Sequence, residues 1–276
     1  MVLNFAGIRR KTEFSPNHVV NDLRIIQLTA EALQDLGHKV TMYDEGDFEA
    51  DEVKEKFIFS MAQGPAGTSV LHEIAQRGAF IINSPRGVLN CYRVNMVQRL
   101  SGMGIPFPRS VVVDATSNVD AILSSIPSPK VWLKRGDVHA VHKEDVTLVY
   151  SADQASTMLS EFGQRGIKQA VLQEHLEGDT VKFYAVRETP FFHWYYLNGV
   201  HKTSFAIDRL RALANASAEI LDLYIYGGDA IIDRDGKVTI IDINDWPSYA
   251  VVREQASREI ATLIHRKALA YDQQRD

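Results

Sequence analysis

The sequence predicts an α/β protein, and three observations carry that prediction. Short apolar strands alternate with amphipathic helices over the first 84 residues, the pattern of a parallel sheet with helices on its faces. Late in the chain, Ala230–Ile232 and Val238–Ile241 flank the turn Asp233-Arg-Asp-Gly236, which reads as a β-hairpin with Gly236 free to take positive φ. The 276 residues, 45% hydrophobic and 24% charged, suffice for one large domain or two to three small lobes.

In order, Val2–Ala6 is a strand, followed by the polar loop from Gly7 to His18. Val19, Val20, Leu23, Ile26, Ala30 and Leu33 recur at helical spacing up to Gly37. Val40–Tyr43, Phe57–Met61 and Ala79–Ile82 read as strands, with a helix capped by Thr68 or Ser69 before the last. Ligands bind beyond the carboxyl ends of strands in such sheets, so Arg9, Arg10, Lys11, His18 and Arg86 are placed to meet an anion there. Solvated surface charge explains Arg9, Arg10 and Lys11 equally well. One helix is expected over about Val88–Ser101, stopped by Gly102-Met-Gly-Ile-Pro-Phe-Pro108. Strand Ser110–Val113 and helix Asn118–Ser125 lead to a strand in which Trp132 and Leu133 deliver Lys134. Val146–Tyr150, a helix capped at Ser151, strand Gln169–Gln173, and strands Thr180–Val186 and Phe191–Leu197 follow. His193, Trp194, Tyr195 and Tyr196 read as sheet packing. A helix over about Ala206–Leu221 enters the hairpin, and a last one over about Val251–Ala270 covers the sheet.

The chemistry concentrates on the hairpin. Asp242 and Asn244 stand two apart and leave the same face, with Asp229 on the partner strand. Two carboxylates and an amide oxygen are hard donors that suit a divalent cation holding a nucleotide phosphate. Taken alone, two aspartates on a hairpin are more often ordinary solvent-facing residues. The net charge of −5 argues against nucleic acid or an acidic membrane as partner. The single cysteine, Cys91, excludes an intrachain disulfide and fits a reducing compartment. With no apolar run near 18 residues and no basic, apolar leader, the expectation is a cytoplasmic protein.

Gly-x-Asp on one strand and Asp-x-Asn-x-x-Pro on the next resembles the metal-binding hairpin of the ATP-grasp superfamily, with Pro247 closing the pattern. The wording Ile-Asp-Ile-Asn is similar to its inositol-phosphate kinase branch. The resemblance covers about Asn83 to Tyr249 and also rests on Gly-Ile-Pro-x-Pro, Lys134, and Glu174-His-Leu-Glu-Gly-Asp179. It implies an ATP-grasp fold: an N-terminal α/β lobe over residues 1–84, a central lobe over 85–175 and a C-terminal lobe over 176–276, clamping ATP with Mg²⁺ (or Mn²⁺). By the same resemblance Asp229, Asp242 and Asn244 are the metal ligands. Glu174, His175 and Leu176 meet the nucleotide base side, and Asp179 the ribose hydroxyls, with Glu177 the second candidate for the ribose. Lys134, Arg93 and His139 reach the phosphates, and Lys134, Lys182 and Arg187 act as catalytic cations. The phosphate flap is poor in glycine, with Gly136 followed by His139, His142 and Lys143. The loop Asn198–Ser204, with His201 and Lys202, reads as an acceptor-side lid. The implied activity is a carboxylate–amine ligase acting on a small anionic acceptor, with neither nucleic acid nor membrane as partner and room for a homodimer. A kinase phosphorylating a hydroxyl of a polyanion, or a nucleotide-binding protein without turnover, are the alternatives.

Overall fold

The structure, a computed structural model, describes residues 1–16, 18–138, 141–198 and 201–274. Three four-stranded sheets follow one another along the chain. The first holds β1 (Asn4–Arg9), β2 (Lys39–Asp44), β3 (Phe57–Ser60) and β4 (Phe80–Ile82), all parallel in the order β2-β1-β3-β4. Helix α1 (Val19–Asp35) connects β1 to β2, and α2 (Pro65–Gln76) connects β3 to β4. Both faces are covered, so the strands read as nearly continuous apolar runs. Phe5, Phe57 and Phe59 enter one core, while Ala6, Ile8 and Ile58 enter another with Leu71 and Ile74 of α2.

Helix α2 starts at Pro65, three residues before the expected cap. Proline suits the first helical position, where its missing N–H is not needed. The N–H groups of Gln63 and Gly64 are met by the buried Glu45 carboxylate, at 3.1 and 2.6 Å.

The single helix expected over Val88–Ser101 is two: α3 (Pro85–Asn90) and α4 (Arg93–Leu100). Ser84 caps α3 by accepting from Gly87 N–H at 2.9 Å. Asn90 donates to Leu221 O at 3.0 Å, and Tyr92 goes extended so that its hydroxyl reaches Gln63 O at 2.7 Å. Neither glycine nor proline marks the break; distant carbonyls set it. Its consequence is that Arg93 opens a new helix and points inward.

The second sheet, antiparallel in the order β5-β8-β6-β7, holds β5 (Ser110–Asp114), β6 (Val131–Arg135), β7 (Val146–Val149) and β8 (Gln169–Glu174). Helices α5 (Asp120–Ser125) and α6 (Ala152–Gln164) belong to this stretch, and α6 packs Ala155, Leu159 and Phe162 onto one face. The third sheet is also antiparallel, in the order β10-β9-β11-β12, built from β9 (Asp179–Val186), β10 (Phe192–Asn198), β11 (Ile225–Ile232) and β12 (Val238–Asp245). Helix α7 (Ile207–Ile220) buries Leu210, Leu213 and Ala214 against it.

Helix α8 (Arg253–Gln273) lies last in sequence but packs on α1 of the first lobe. Its Ile260, Leu263 and Ile264 share a core with Phe5, Phe57, Trp246 and Tyr249. Each such buried side chain contributes about 1.5–3 kcal/mol, so the chain's two ends are held together by apolar burial. Among the described residues, no helix is long and apolar enough to cross a membrane.

Candidate functional site

Strand register assembles the site. Across the third sheet, Tyr195, Lys182, Asp229 and Asp242 stand in one row, and His193, Tyr184, Gly227 and Asn244 in the next. The opposite face carries Val181, Phe183, Ala230 and Ile240 toward α7. A bulge makes this division work. Asp229 pairs with Asp242 but Ala230 pairs with Ile240, so Ile241 is an extra residue. Before it, Val238 and Ile240 face α7; after it, Ile243 does. Simple alternation would bury Asp242 and Asn244 with Ile240; the extra residue turns them to the site instead. Gly227 keeps its row open, because a Cβ there would lie 2.8 Å from Pro247 Cγ and 3.0 Å from Tyr184 Cδ1.

The second sheet supplies the facing wall. On β6, Val131 and Leu133 enter the core while Trp132 and Lys134 face the site. Lys134 is buried and donates to Gln173 Oε1 at 2.7 Å, and Gln173 in turn donates to Ser110 Oγ at 3.2 Å. Burial pulls the Lys134 ammonium down to about 8; Arg93 adds to this, while Asp242 and Asp229 oppose it. Lys182 Nζ lies 2.8 Å from Asp229 Oδ1. Burial disfavours both charges. It leaves Asp229 above the usual carboxylate range despite Lys182, whereas Asp229 and Asp242 outweigh it at Lys182 and raise that ammonium.

Two cavities meet at this cluster. One, of about 510 Å³, lies between the second and third sheets. Val146, Leu176, Leu197, Ile231 and Ile241 give it apolar walls, and Lys134, Asp229 and Asp242 its polar end. The other, of about 450 Å³, is lined by Lys182, Asn244 and residues of the first lobe and the flap. Arg93 lines both. It is 7% exposed, and its Nε and Nη1 are buried without a hydrogen-bond partner among the described residues. A buried cation with unused donors fits an oxyanion that the protein itself does not provide.

Glu174, His175 and Leu176, expected at the base side, and Glu177, the second candidate for the ribose, all line the first cavity. The His175 ring accepts from Trp132 Nε1 at 3.1 Å, and Glu177 pairs with Lys130 at 2.8 Å on the surface. Asp179 is placed otherwise. It is buried, and its two oxygens accept from Thr203 N–H at 2.7 Å and His201 N–H at 3.4 Å, so it holds the segment after β10 instead of facing the cavity. Arg187 also lies apart: it stacks on the Tyr224 ring at 4.0 Å and lines neither cavity. His139 lies outside the described residues, as does the Gly199-Val200 part of the expected lid.

The flap ends in a knot that the sequence did not reveal. Asp145 is fully buried; its Oδ2 accepts from Arg135 at 2.9 Å and from Val141 and His142 N–H at 2.8 and 2.9 Å, and its Oδ1 from Arg165 at 2.5 Å. Burial works against the ionised form, but these donors hold the carboxyl down to about 2. Gly136 is pressed against β8, where a Cβ would meet Gln169 O at 2.6 Å.

The early basic loop divides. Arg9 pairs with Asp44, and Lys11 with Glu13, at the surface. Arg86 is exposed and lines neither cavity. Arg10 turns inward and lines the second cavity, but Asp22, Met61 O and Trp246 O occupy its donors. His18, His142 and Lys143 do line that cavity. Tyr195 packs on the core around Tyr184 and Tyr249, and Trp194 and Tyr196 pack toward α7, as expected; His193 stands beside Tyr195. Gln173, which holds Lys134, gave no signal in the sequence beyond its place beside Glu174. Among the described residues, no group of three or more His, Cys, Asp or Glu side chains is placed to hold a metal; the candidate donor set is the two aspartates and the Asn244 amide.

No family model and no curated protein matches the sequence. Solved structures do match. A RimK-domain ATP-grasp protein from Sphaerobacter thermophilus superposes with a TM-score of 0.70 at 16% identity, over 95% of this chain and 99% of that one. The D-alanine–D-alanine ligase from Coxiella burnetii gives 0.75 at 11% identity, over 99% and 97%. The Bacillus anthracis D-alanine–D-alanine ligase complexed with ATP gives 0.71 at 11% identity, over 99% of both chains. A likeness of this extent at such low identity speaks to architecture: the chain has the ATP-grasp fold.

Proposed function

We propose that the protein is an ATP-dependent ligase that activates a carboxylate as an acyl phosphate for attack by an amine. The observation that carries this is the cluster where the two cavities meet: Lys134, Arg93 and Lys182 beside Asp229, Asp242 and Asn244. The ligases among the similar structures, one of them complexed with ATP, support the same reading.

The residues fit ATP and Mg²⁺. The 510 Å³ cavity has apolar walls for a base and cations at one end for phosphates. Arg93 has buried donors to spare, and the facing aspartates with Asn244 offer hard oxygens. Asp229, Asp242 and Asn244 would hold the ion, which neutralises charge on the phosphates when bound. Lys134 would bind phosphate oxygens as a compact charge held in place by Gln173. Arg93 and Lys182, which line the 450 Å³ cavity that would take the acceptor, would stabilise the phosphoryl group in transit. An acceptor carboxylate oxygen bonds to the terminal phosphorus as the bond to ADP breaks. The amine nitrogen then bonds to the acyl carbon, phosphate leaves, and the nitrogen loses a proton.

The test is product analysis with ATP, Mg²⁺ and pools of acids and amines. A ligase releases ADP and phosphate in equal amounts only when both pools are present. ADP without free phosphate would mark a kinase, and ATP-dependent thermal stabilisation without turnover a binder. Asp242→Ala is expected to abolish ADP production; near-normal turnover would remove the metal assignment.

A further inference from the structure

The 450 Å³ cavity, which the ligase reading gives to the acceptor, is lined by polar side chains beyond those that a single carboxylate would engage. Two carboxylates line it, and both are engaged within the protein. Asp22 takes Arg10 Nη1 at 2.8 Å and Ser15 Oγ at 2.6 Å, and Asp245 takes Gln63 Nε2 at 2.9 Å. Lys143 and the His18 imidazole, both exposed, also line the cavity and have no anionic partner among the described residues. Arg93 belongs to both cavities and so marks the nucleotide end; Lys143 and His18 line the acceptor cavity alone.

The two side chains come from different parts of the chain, and each follows or opens an anchored segment. Lys143 follows the His142 N–H that the buried Asp145 holds, so the knot of Asp145, Arg135 and Arg165 fixes its backbone. His18 is the N-cap of the 17-residue α1, and its side chain makes no capping bond to the first turn. The positive end of that helix therefore adds to the same wall. Arg93, more than nine-tenths buried with two unused donors, faces the cavity from its other end.

Resting on the ligase reading above, we infer that the acceptor carries a second anionic group, a phosphate or carboxylate, gripped between Lys143 of the flap and His18 at the start of α1. Binding such a group joins the first lobe to the second through one ligand. A monocarboxylate would satisfy only the Arg93 and Lys182 end.

The experiment is calorimetric titration of the full chain, saturated with Mg²⁺ and a non-hydrolysable ATP analogue. The probes are butyrate, glutarate and 3-phosphoglycerate. At least one of the doubly anionic probes should bind about tenfold or more tighter than butyrate, the worth of one charge-assisted hydrogen bond. Which of the two binds better separates carboxylate from phosphate at the distal position. Lys143→Ala and His18→Gln should each erase several-fold of that preference and leave butyrate and the analogue unchanged. Three indistinguishable probes, or variants that weaken butyrate equally, would overturn the inference while the analogue still binds. Failure of the analogue to bind would instead overturn the ligase reading, and this inference with it.

Discussion

Two arginines line the 450 Å³ cavity, and both keep their side chains largely from solvent, yet their surroundings differ completely. Arg10 spends its guanidinium on the protein: Nη1 on Asp22 at 2.8 Å, Nε on Met61 O at 3.0 Å, and Nη2 on Trp246 O at 3.0 Å. Arg93 has Nε and Nη1 without a partner among the described residues. The first ties the first lobe to the backbone just beyond Asn244; the second faces the place where the two cavities join. Cavity lining alone would give both the same role. Counting occupied donors separates a strut from a site residue, because a buried donor left unpaired costs about 1–3 kcal/mol unless something else fills it.

The largest effect that can break this contrast is on stability. Arg10→Ala leaves Asp22 buried beside Ser15 alone, and breaking a buried pair in this way costs about 3–5 kcal/mol. Chemical denaturation should show that loss; an unchanged midpoint would put Arg10 back among the substrate residues. Arg93→Ala should do the reverse: turnover falls about 10²–10³-fold, the range for one preorganised donor, while the nucleotide-free protein unfolds at the same or a higher temperature.

A smaller effect sharpens the same distinction between two carboxylates. Asp179→Ala should loosen the 201–203 segment by about 1.5–3 kcal/mol, the worth of hydrogen bonds to a charged acceptor. Hydrogen exchange there should quicken with the KM for ATP little changed, whereas Glu177→Gln should shift that KM and leave exchange alone. The smallest effect concerns Lys134. With its ammonium pulled down to about 8, part of the population is neutral above that pH, and phosphates arriving beside it favour the charged form. Nucleotide binding near pH 9 should therefore take up a fraction of a proton, and apparent affinity should fall as pH rises through about 8. Titrations in buffers of different ionisation enthalpy measure this uptake, which should vanish near pH 6.5 and in Lys134→Met.

Features set by neighbouring residues were legible in the sequence, and those set by distant ones were not. The hairpin was legible because its turn is local: Gly236 takes φ +76°, and Asp233 accepts from Asp235 and Lys237 N–H. Lys134 was legible because the short apolar strand through Trp132 and Leu133 delivers it, at the place where the resemblance has a lysine. The inward turn of Arg10 was not, since its Trp246 partner lies 236 residues away. Nor was the α3–α4 break, set by Gln63 O and Leu221 O. Asp179 sits in a motif whose carboxylate was expected to meet a ribose, and only the return of the chain at Thr203 shows where it goes. The adjacent Ile240-Ile241 pair did leave a trace, interrupting the alternation where the register shifts.

That interruption makes the hairpin unequal in what it tolerates. Extra residues at Arg234 or Asp235, which are exposed, would lengthen a turn and leave both strands in register. Deleting Ile241 would rotate everything after it by half a turn, sending Asp242 and Asn244 into the apolar layer under α7 and Ile243 out. One aliphatic residue, by its presence more than its chemistry, decides whether Asp242 and Asn244 face the cavities or the protein's own core.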